Sequence, residues 1–307
     1  MRRALAASAL VLATGCSDEP APTPAPQVPT RSAPTPTASS QSPSATSEPQ
    51  PVRFEAARAM GTVRHLAGAI GPRLATGPAF ERAAAWVATA LERQGYDVRR
   101  RPVETPAGRS ANVVATAPGF DPGSAYVLVG AHLDTVAVAP GAEDNASGVA
   151  VLLELARVLG GTGQVVLVAF GAEEPIGPGD LHHFGSKAYV AAMTAAERRH
   201  LRAMVSLDRV GVGTVVPLSS VEGTSSALRD RLAQVARRAG IPTVVETDAA
   251  SDHESFADAG VPAARVGSTP YAGYHSAADV PAVVDPRQLQ RVGRLLSTWI
   301  SGALRAS

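Results

Sequence analysis

The sequence has almost no cysteine, almost no lysine and few aromatic residues. Its single cysteine is Cys16, so an internal disulfide is excluded, and its single lysine is Lys187. No run of about 18 apolar residues follows the first 15 positions, so we predict no membrane-spanning helix there. The formal net charge is only +1 over 307 residues. No global field therefore attracts nucleic acid or an anionic membrane, and we predict no nucleic-acid partner.

The N-terminus has the pattern of a bacterial export signal. Two arginines follow the first methionine, and the apolar stretch after them is too short to span a membrane. Small residues then precede Cys16. This junction resembles a bacterial lipobox, in which the cysteine is diacylated, although Ala13 stands where leucine is preferred. We predict a signal peptide over 1–15 and lipidation of Cys16. The alternative is an ordinary secretory signal with an incidental cysteine.

A spacer rich in proline, serine and threonine comes next. Ten of the 25 prolines lie between residues 17 and 52. Such a composition cannot bury enough apolar surface to offset the entropy lost on ordering, so we predict a disordered, partly polyproline linker over 16–52. A tether of this kind behind a lipidated cysteine would hold a domain at a membrane. We therefore expect an exported protein of the cell envelope, lipid-anchored to the outside of the cytoplasmic membrane or secreted, with its globular domain over 53–307.

Apolar periodicity predicts an α/β fold for the globular domain. A helix is predicted over 80–91, and a closing helix is predicted from Pro286, with Asp285 as its N-cap. Strands are predicted over 96–103, 111–117, 125–131, 164–170, 203–207, 243–246 and 263–267. Strands that are apolar throughout and alternate with helices indicate a sheet covered on both faces. We predict a three-layer α/β/α sandwich with a central mixed, mainly parallel sheet.

Side chains of the metal-binding type follow three of these predicted strands, and two more lie on connections. In open α/β sheets, sites form beyond the carboxyl ends of the strands. Each cluster alone is a weak signal, because a His-x-Asp or Glu-Glu pair is usually a surface turn or a solvated face. Together they contain two histidines and several carboxylates, the donors of a hydrolytic zinc site. The residues are His132, Asp134, Asp144, Glu173, Glu174, Asp208 and His275.

The motifs around these residues resemble those of the co-catalytic zinc aminopeptidases, metallopeptidase family twenty-eight. The resemblance covers about residues 75–300, and the order and spacing of seven strings match the family. They are GAHLDTV (130–136), GAEDNASGVA (141–150), VAFGAEE (168–174), FGSKAYV (184–190), SLDRVG (206–211), SDHESF (251–256) and YHSAAD (274–279). The resemblance implies a fold of the zinc-dependent exopeptidase type and an aminopeptidase that hydrolyses N-terminal residues from peptide substrates.

The resemblance also implies two zinc ions per chain. One would be held by His132 and Asp208 and the other by Glu174 and His275, with Asp144 bridging both. In the family, the bridging aspartate is followed by a cis peptide bond that does not involve proline. The bond that follows Asp144 is therefore predicted to be cis.

Three further roles are implied by the resemblance. Glu173 would be the general base, taking a proton from a metal-bridging water and passing it to the leaving amine. Asp134 would orient His132 from behind the metal. Tyr274, which adjoins the last ligand, would help to hold the oxyanion.

The chain departs from the family pattern in the loop 175–184. In many relatives the Glu-Glu and Gly-Ser pairs are only a few residues apart, whereas here ten residues lie between them. This loop is predicted to border the substrate cleft. We interpret its His182 and His183 as exposed loop histidines rather than as ligands of another metal. His253, in the SDH motif, is assigned no ligand role.

Two other functions are left open by the sequence. A glutaminyl cyclase, a related single-zinc transferase, is the first, although the complete ligand set favours the peptidase. A non-catalytic binding domain is the second, since fold does not determine function. Such relatives tend to lose ligands, and this chain has lost none. Carboxypeptidase or dipeptidase activity, the preferred residue at the cleavage site and the oligomeric state are also left open.

Overall fold

The structure, a computed structural model, describes residue 23 and residues 52–305, apart from 162 and 180. The predicted signal peptide over 1–15, the lipidation site Cys16 and nearly all of the predicted linker lie outside the described residues. Among the residues that the structure describes, none of the helices is long and apolar enough to cross a membrane.

The helices of the described residues range from one and a half to more than five turns. They are α1 (Ala56–Val63), α2 (Pro78–Arg93), α3 (Gly148–Leu159), α4 (Phe184–Ala192), α5 (Ala195–His200), α6 (Ala227–Arg238), α7 (His253–Asp258) and α8 (Pro286–Arg305). Shorter or irregular helical turns occur at Arg64–Ile70, Ala142–Ser147 and Pro281–Val283. The predicted helix over 80–91 is confirmed as the central part of α2.

The strands form one eight-stranded sheet. They are β1 (Asp97–Thr105), β2 (Gly108–Thr116), β3 (Tyr126–His132), β4 (Val165–Phe170), β5 (Leu201–Leu207), β6 (Val216–Ser220), β7 (Thr243–Thr247) and β8 (Ala263–Val266). Their order across the sheet is β1-β2-β4-β3-β5-β8-β6-β7. The central strands β4, β3, β5 and β8 are parallel, whereas β1, β2 and β6 introduce antiparallel pairs. The predicted mixed sheet is confirmed.

Helices cover both faces of this sheet. In β3, Val127 and Val129 pack into a large apolar core with α1, α2, α3, α6 and α8. The alternating residues Tyr126 and Leu128 pack into a smaller core with α4 and α7. Every residue of β3 and β4 is buried, which explains why both strands are apolar throughout. The predicted three-layer architecture is therefore confirmed.

The closing helix α8 begins where the sequence predicts. The Asp285 carboxylate accepts a hydrogen bond from the backbone N–H of Arg287 at 2.8 Å, which is the geometry of an N-cap. Pro286 occupies the first helical position, where a missing N–H costs nothing. This helix packs against α1, α3 and α6 and closes the larger core.

Strand β6 is the strand that sequence periodicity misses. Its five residues read Val-Pro-Leu-Ser-Ser, and a proline with two serines argues against a strand. In the sheet, β6 pairs with β7 on one side and with β8 on the other. The pairing with β8 places Ser219 opposite Arg265, a residue that reaches the site described next.

Candidate metal centre

Three neighbouring parallel strands bring the predicted clusters to one edge of the sheet. β3 ends in His132 itself, Glu173 and Glu174 follow β4, and Asp208 directly follows β5. Because β4, β3 and β5 are adjacent and parallel, their carboxyl ends meet. The side chains that sequence reasoning selected on separate strands therefore lie together.

A first group of donors surrounds one possible metal position. Nε2 of His132 lies 3.1 Å from Oδ1 of Asp144 and 3.5 Å from Oδ1 of Asp208. All three side chains are buried, and their donor atoms could hold one ion. In a tetrahedral zinc site with bonds of about 2.0–2.1 Å, neighbouring donors lie about 3.3 Å apart. The observed spacing matches such a site.

A second group shares Asp144 with the first. Nε2 of His275 lies 3.3 Å from Oδ2 of Asp144 and 3.0 Å from Oε2 of Glu174. The two oxygens of Asp144 thus face different groups, Oδ1 toward His132 and Oδ2 toward His275. This is the arrangement expected of a carboxylate that bridges two metal ions, and it brings all five predicted ligands together.

The buried oxygens of this cluster fit a cation. Oε1 of Glu174 and Oδ1 of Asp208 are buried and have no hydrogen-bond partner among the described residues. A buried polar group without a partner costs about 1–3 kcal/mol, and more if it is charged. Imidazole nitrogens and carboxylate oxygens are also the donors that zinc takes at hydrolytic sites. The residues present therefore fit zinc at both positions.

Asp134 positions the backbone of Glu173 and Glu174, a contact that the sequence does not predict. Its buried carboxylate accepts the backbone N–H groups of Glu173, at 3.1 Å, and Glu174, at 3.0 Å. Nδ1 of His132 lies 3.2 Å from the Asp134 carbonyl oxygen but 3.8 Å from its carboxylate. The nearer partner of the imidazole is thus the backbone carbonyl. The carboxylate mainly holds the turn that carries Glu173 and Glu174.

The turn that carries Asp144 is held from two directions. The peptide bond between Asp144 and Asn145 is cis, as predicted. The carboxylate of Asp279, the last residue of the YHSAAD motif, accepts the N–H groups of Glu143 and Asp144 at 2.8 and 3.1 Å. The Asn145 amide donates to the carbonyl of Leu207 at 2.8 Å, which joins the turn to the end of β5.

Glu173 lies beside the first donor group, where a general base is expected. Its Oε2 lies 3.8 Å from Nε2 of His132, and its Oε1 lies 3.2 Å from Nε2 of His183. The protein groups alone raise the pKa of Glu173 to about 8, with burial as the largest cause and the nearby Asp208 carboxylate as a further one.

The interpretation of His183 as an exposed loop histidine is wrong. This side chain is buried, with Nε2 facing Glu173 and Nδ1 lying 2.9 Å from Oε2 of Glu254. His182, in contrast, is partly exposed. Sequence spacing could not place His183, because the loop 175–184 folds back so that the His183 N–H donates to the Glu173 carbonyl. In the sequence, Glu254 of the SDHESF motif was the residue that could have indicated an acidic partner for His183.

Tyr274 lies at the mouth of the site. Its ring stacks on His275, with centroids 3.8 Å apart, and the guanidinium of Arg209 lies 4.6 Å from the centroid of the tyrosine ring. Burial raises the pKa of Tyr274 to about 12, so the phenol keeps its proton and remains a hydrogen-bond donor. Its ring is nevertheless 46% exposed, which leaves the phenol accessible from solvent.

Arg73 is a fully buried cation behind the metal-binding loops that sequence reasoning missed. Its guanidinium donates to backbone carbonyls and to no carboxylate among the described residues. The acceptors are the carbonyl oxygens of Leu66, Gly71, Leu133, Pro140 and Gly141, at 2.7–3.0 Å. Burial lowers the pKa of Arg73 to about 10. Any residue can supply a backbone carbonyl, so the sequence does not indicate the hydrogen bonds of Arg73.

Arg265 on β8 is a second missed arginine. Its Nε lies 3.3 Å from Oδ2 of Asp208, and its guanidinium also pairs with Asp248. Burial alone would raise the pKa of Asp208, but Arg265 and His132 outweigh it and hold that pKa below its usual range. An arginine within an apolar strand could have indicated an acidic partner in the sequence, because a buried charge requires a partner. His253 is also buried, and its Nε2 contacts the Asp248 carbonyl at 2.8 Å.

The fold and this cluster define a class of protein: an α/β metalloprotein with a buried, two-position carboxylate–histidine centre beyond the carboxyl ends of its central strands. The chain belongs to Peptidase family M28, which residues 112–300 match. This family is the one that the sequence motifs resemble.

Three relatives show the same likeness in sequence. Aminopeptidase YwaD of Bacillus subtilis is 30% identical over 193 residues, which cover 58% of this chain and 41% of the relative. Leupeptin-inactivating enzyme 1 of Streptomyces exfoliatus is 30% identical over 179 residues (56% and 39%). The probable lipoprotein aminopeptidase LpqL of Mycobacterium tuberculosis is 29% identical over 188 residues (55% and 34%). The chain thus spans about two fifths or less of the length of these relatives.

Solved structures show the same fold. A zinc aminopeptidase from Bacillus subtilis superposes with a TM-score of 0.75 at 19% identity, covering 83% of this chain and 97% of that one. A glutaminyl cyclase from an Acidobacteriales bacterium superposes with a TM-score of 0.72 at 20% identity, covering 89% and 100%. At such identities the likeness establishes the fold and leaves the reaction to be argued from the site.

Proposed function

We propose that this protein is an exported zinc aminopeptidase that removes N-terminal residues from peptides. The observation that carries the proposal is the position of Asp144, whose two carboxylate oxygens face two separate groups of metal donors. Family membership and relatives named as aminopeptidases support the same reaction. The substrate would be a peptide with a free N-terminus.

Two zinc ions fit the donor set. His132 and Asp208 would hold one, Glu174 and His275 the other, and Asp144 would be shared. When bound, the zinc ions would supply polarisation of the scissile carbonyl and a lower pKa of the attacking water. A site for a single ion would need only one of the two groups, and the completeness of both supports two.

The chain's own residues supply the proton transfers. Glu173, held beside the donor groups, would take the proton of the attacking water and deliver it to the leaving amine. Asp134 holds the backbone N–H groups of both glutamates, so that Glu173 and Glu174 keep different directions. Tyr274 would donate a hydrogen bond from its phenol to the developing oxyanion.

Glutaminyl cyclase activity is the second candidate, because a cyclase superposes over the whole of its own chain. It would use only the group of Asp144, Glu174 and His275. The deciding experiment measures zinc per chain in the purified full-length protein, together with turnover of leucine anilide and of a glutaminyl peptide. Two equivalents of zinc and anilide hydrolysis support the aminopeptidase. One equivalent with release of ammonia from the glutaminyl peptide would replace it by the cyclase.

We also propose that Cys16 is lipidated and anchors the protein to the cell envelope. The small residues before Cys16 and the proline-rich composition after it support this proposal. The similarity to a relative named as a probable lipoprotein aminopeptidase agrees with it. The anchor would keep the peptidase outside the cytoplasmic membrane, where exogenous peptides are its substrates.

A further inference from the structure

His183, the next-to-last residue of the long loop 175–184, lies beside Glu173, the proposed general base. Nε2 of His183 lies 3.2 Å from Oε1 of Glu173, and Nδ1 lies 2.9 Å from Oε2 of Glu254. Glu254 belongs to α7, and its side chain is partly exposed. The three side chains form a row from the metal groups to the outer edge of α7.

Glu173 needs restraint, because it stands within reach of metal. Its carboxylate, His132 and Glu174 together could hold an ion, besides the two groups that share Asp144. A general base that became a metal ligand would lose the lone pair that must take the proton. Something must therefore keep one oxygen of Glu173 away from the metal positions.

We propose that His183 is a positioning residue that fixes the Glu173 carboxylate for proton transfer and prevents its capture by metal. The inference rests on the proposed function. The approach of Nε2 of His183 to within 3.2 Å of Oε1 holds that oxygen on the side of the histidine and leaves Oε2, 3.8 Å from Nε2 of His132, facing the reaction. Glu254 holds the other side of the imidazole ring.

The surroundings of His183 support a fixed ring. A carboxylate oxygen lies within 3.2 Å of each ring nitrogen, so the ring is held from both sides. The ring of His182 meets that of His183 edge to face, with centroids 4.0 Å apart. The His183 carbonyl accepts the hydroxyl of Ser186 at 3.2 Å. The ring is therefore held by its neighbours as well as by Glu254.

A competing role is metal binding by His182, His183 and Glu254, whose donor atoms lie close enough for one ion. The contacts favour positioning, because both ring nitrogens of His183 already face carboxylates, one of them the base. An ion there would occupy a ring nitrogen that now has a carboxylate partner. The two roles predict different zinc contents when Glu254 is changed.

The test compares His183→Gln with His183→Asn. The backbone of His183 is left-handed, with φ of 56°, a conformation that asparagine adopts more readily than glutamine. Glutamine, however, places an amide N–H near the position of Nε2, whereas asparagine is too short to reach Glu173. If His183 serves only to maintain the backbone conformation, His183→Asn should be the more active variant. If His183 holds Glu173, His183→Gln should be the more active variant.

We expect His183→Asn to lower kcat about ten- to a hundredfold, with KM and the zinc content unchanged, as for loss of an orienting partner. His183→Gln should recover most of kcat. Equal activities in the two variants, or a more active asparagine variant, would overturn the proposal. So would the loss of one equivalent of zinc in Glu254→Gln.

Cobalt(II) substitution gives a readout that does not depend on turnover. If Glu173 is captured when His183 is lost, the visible spectrum of the cobalt-loaded His183→Asn protein should differ from that of the wild type. Adding Glu173→Gln to this variant should abolish the difference. A spectrum unchanged in His183→Asn would reject capture. Failure of the wild type to hydrolyse every member of a panel of amino acid anilides would reject the proposed function, and the cobalt spectra would still decide the role of His183.

Discussion

Replacing Arg73 by methionine should destabilise the protein strongly, although Arg73 binds no metal. Its fully buried guanidinium donates to five backbone carbonyls in two separate segments, 66–71 and 133–141. Leu133 lies between His132 and Asp134, and Gly141 begins the turn that leads to Asp144. Methionine would fill much of the volume but would remove the Arg73 donor from all five carbonyls, of which those of Leu66 and Gly141 keep a backbone N–H donor.

The magnitude follows from these contacts. Hydrogen bonds from a charged group are each worth about 1.5–3 kcal/mol, so the four N–H groups that serve the five carbonyls sum to roughly 6–12 kcal/mol before any compensation. Methionine also removes the cost of burying a cation, a cost that is visible in the lowered pKa of Arg73. Each buried carbonyl left without a donor costs about 1–3 kcal/mol, and after the offset from removing the buried cation we expect a net loss of about 3–5 kcal/mol. For a domain of this size, that loss lowers Tm by about 6–20 °C.

Thermal unfolding of the full-length, zinc-loaded protein measures this effect. The matched control is Arg109→Met, because Arg109 is exposed and pairs only with Glu104 at the surface, where a salt bridge is worth about 0–1 kcal/mol. Arg73→Lys should fall between, since lysine keeps the charge but has only three donors. If the Tm of Arg73→Met lies within a degree or two of the Tm of Arg109→Met, the inference that Arg73 holds the two segments together is wrong.

Three further outcomes follow from the site and the N-terminus. Glu173→Gln should keep its zinc but lose about 10²–10⁴ in turnover, as measured with leucine anilide, and near-normal activity with zinc bound would remove Glu173 as the base. Burial raises the pKa values of Glu173 and Glu174 to about 8, above their usual 4.5, so ionising them destabilises the folded protein when zinc is stripped. The free energy of unfolding of the zinc-free protein should therefore fall as the pH rises from about 5 to 8. The increase in Tm on adding zinc should become larger over the same range. An increase that becomes smaller would contradict the shared metal site. Finally, Cys16→Ser should move the protein from the membrane fraction to the soluble fraction, and equal solubility of both forms would end the anchor proposal.

The fold could be predicted from the sequence where burial leaves a pattern. β3 and β4 are apolar over their whole length because helices cover both faces, and α8 begins with the Asp285-Pro286 signal of an N-terminus. β6 could not be predicted in this way. Its pairing with β7 and β8 depends on tertiary position, and its proline and serines carry the opposite local preference.

His132, Glu174 and Asp208 could be selected because parallel strands bring their carboxyl ends to one edge. Asp144 and His275 lie on connections and were selected from the resemblance to the family. The residues around these donors could not be selected. His183 reaches Glu173 only because a loop of unusual length folds back, and Arg73 contacts carbonyls that any residue could supply. Asp134 was selected for its imidazole neighbour, whereas its carboxylate proves to hold two backbone N–H groups. Contacts made to the backbone leave no trace in residue identity.

The wide separation of the donors along the chain limits when the centre can be completed during folding. His132, Asp144 and Asp208 come first, but Asp279, which fixes the backbone of Asp144, and the donor His275 lie near the C-terminal end. A chain emerging from the ribosome or from a membrane channel would lack both until almost the whole domain had appeared. The complete two-position centre therefore forms late, because His275 follows all eight strands in the chain. Uptake of the second ion would mark the end of maturation, and an incomplete or trapped chain would remain inactive.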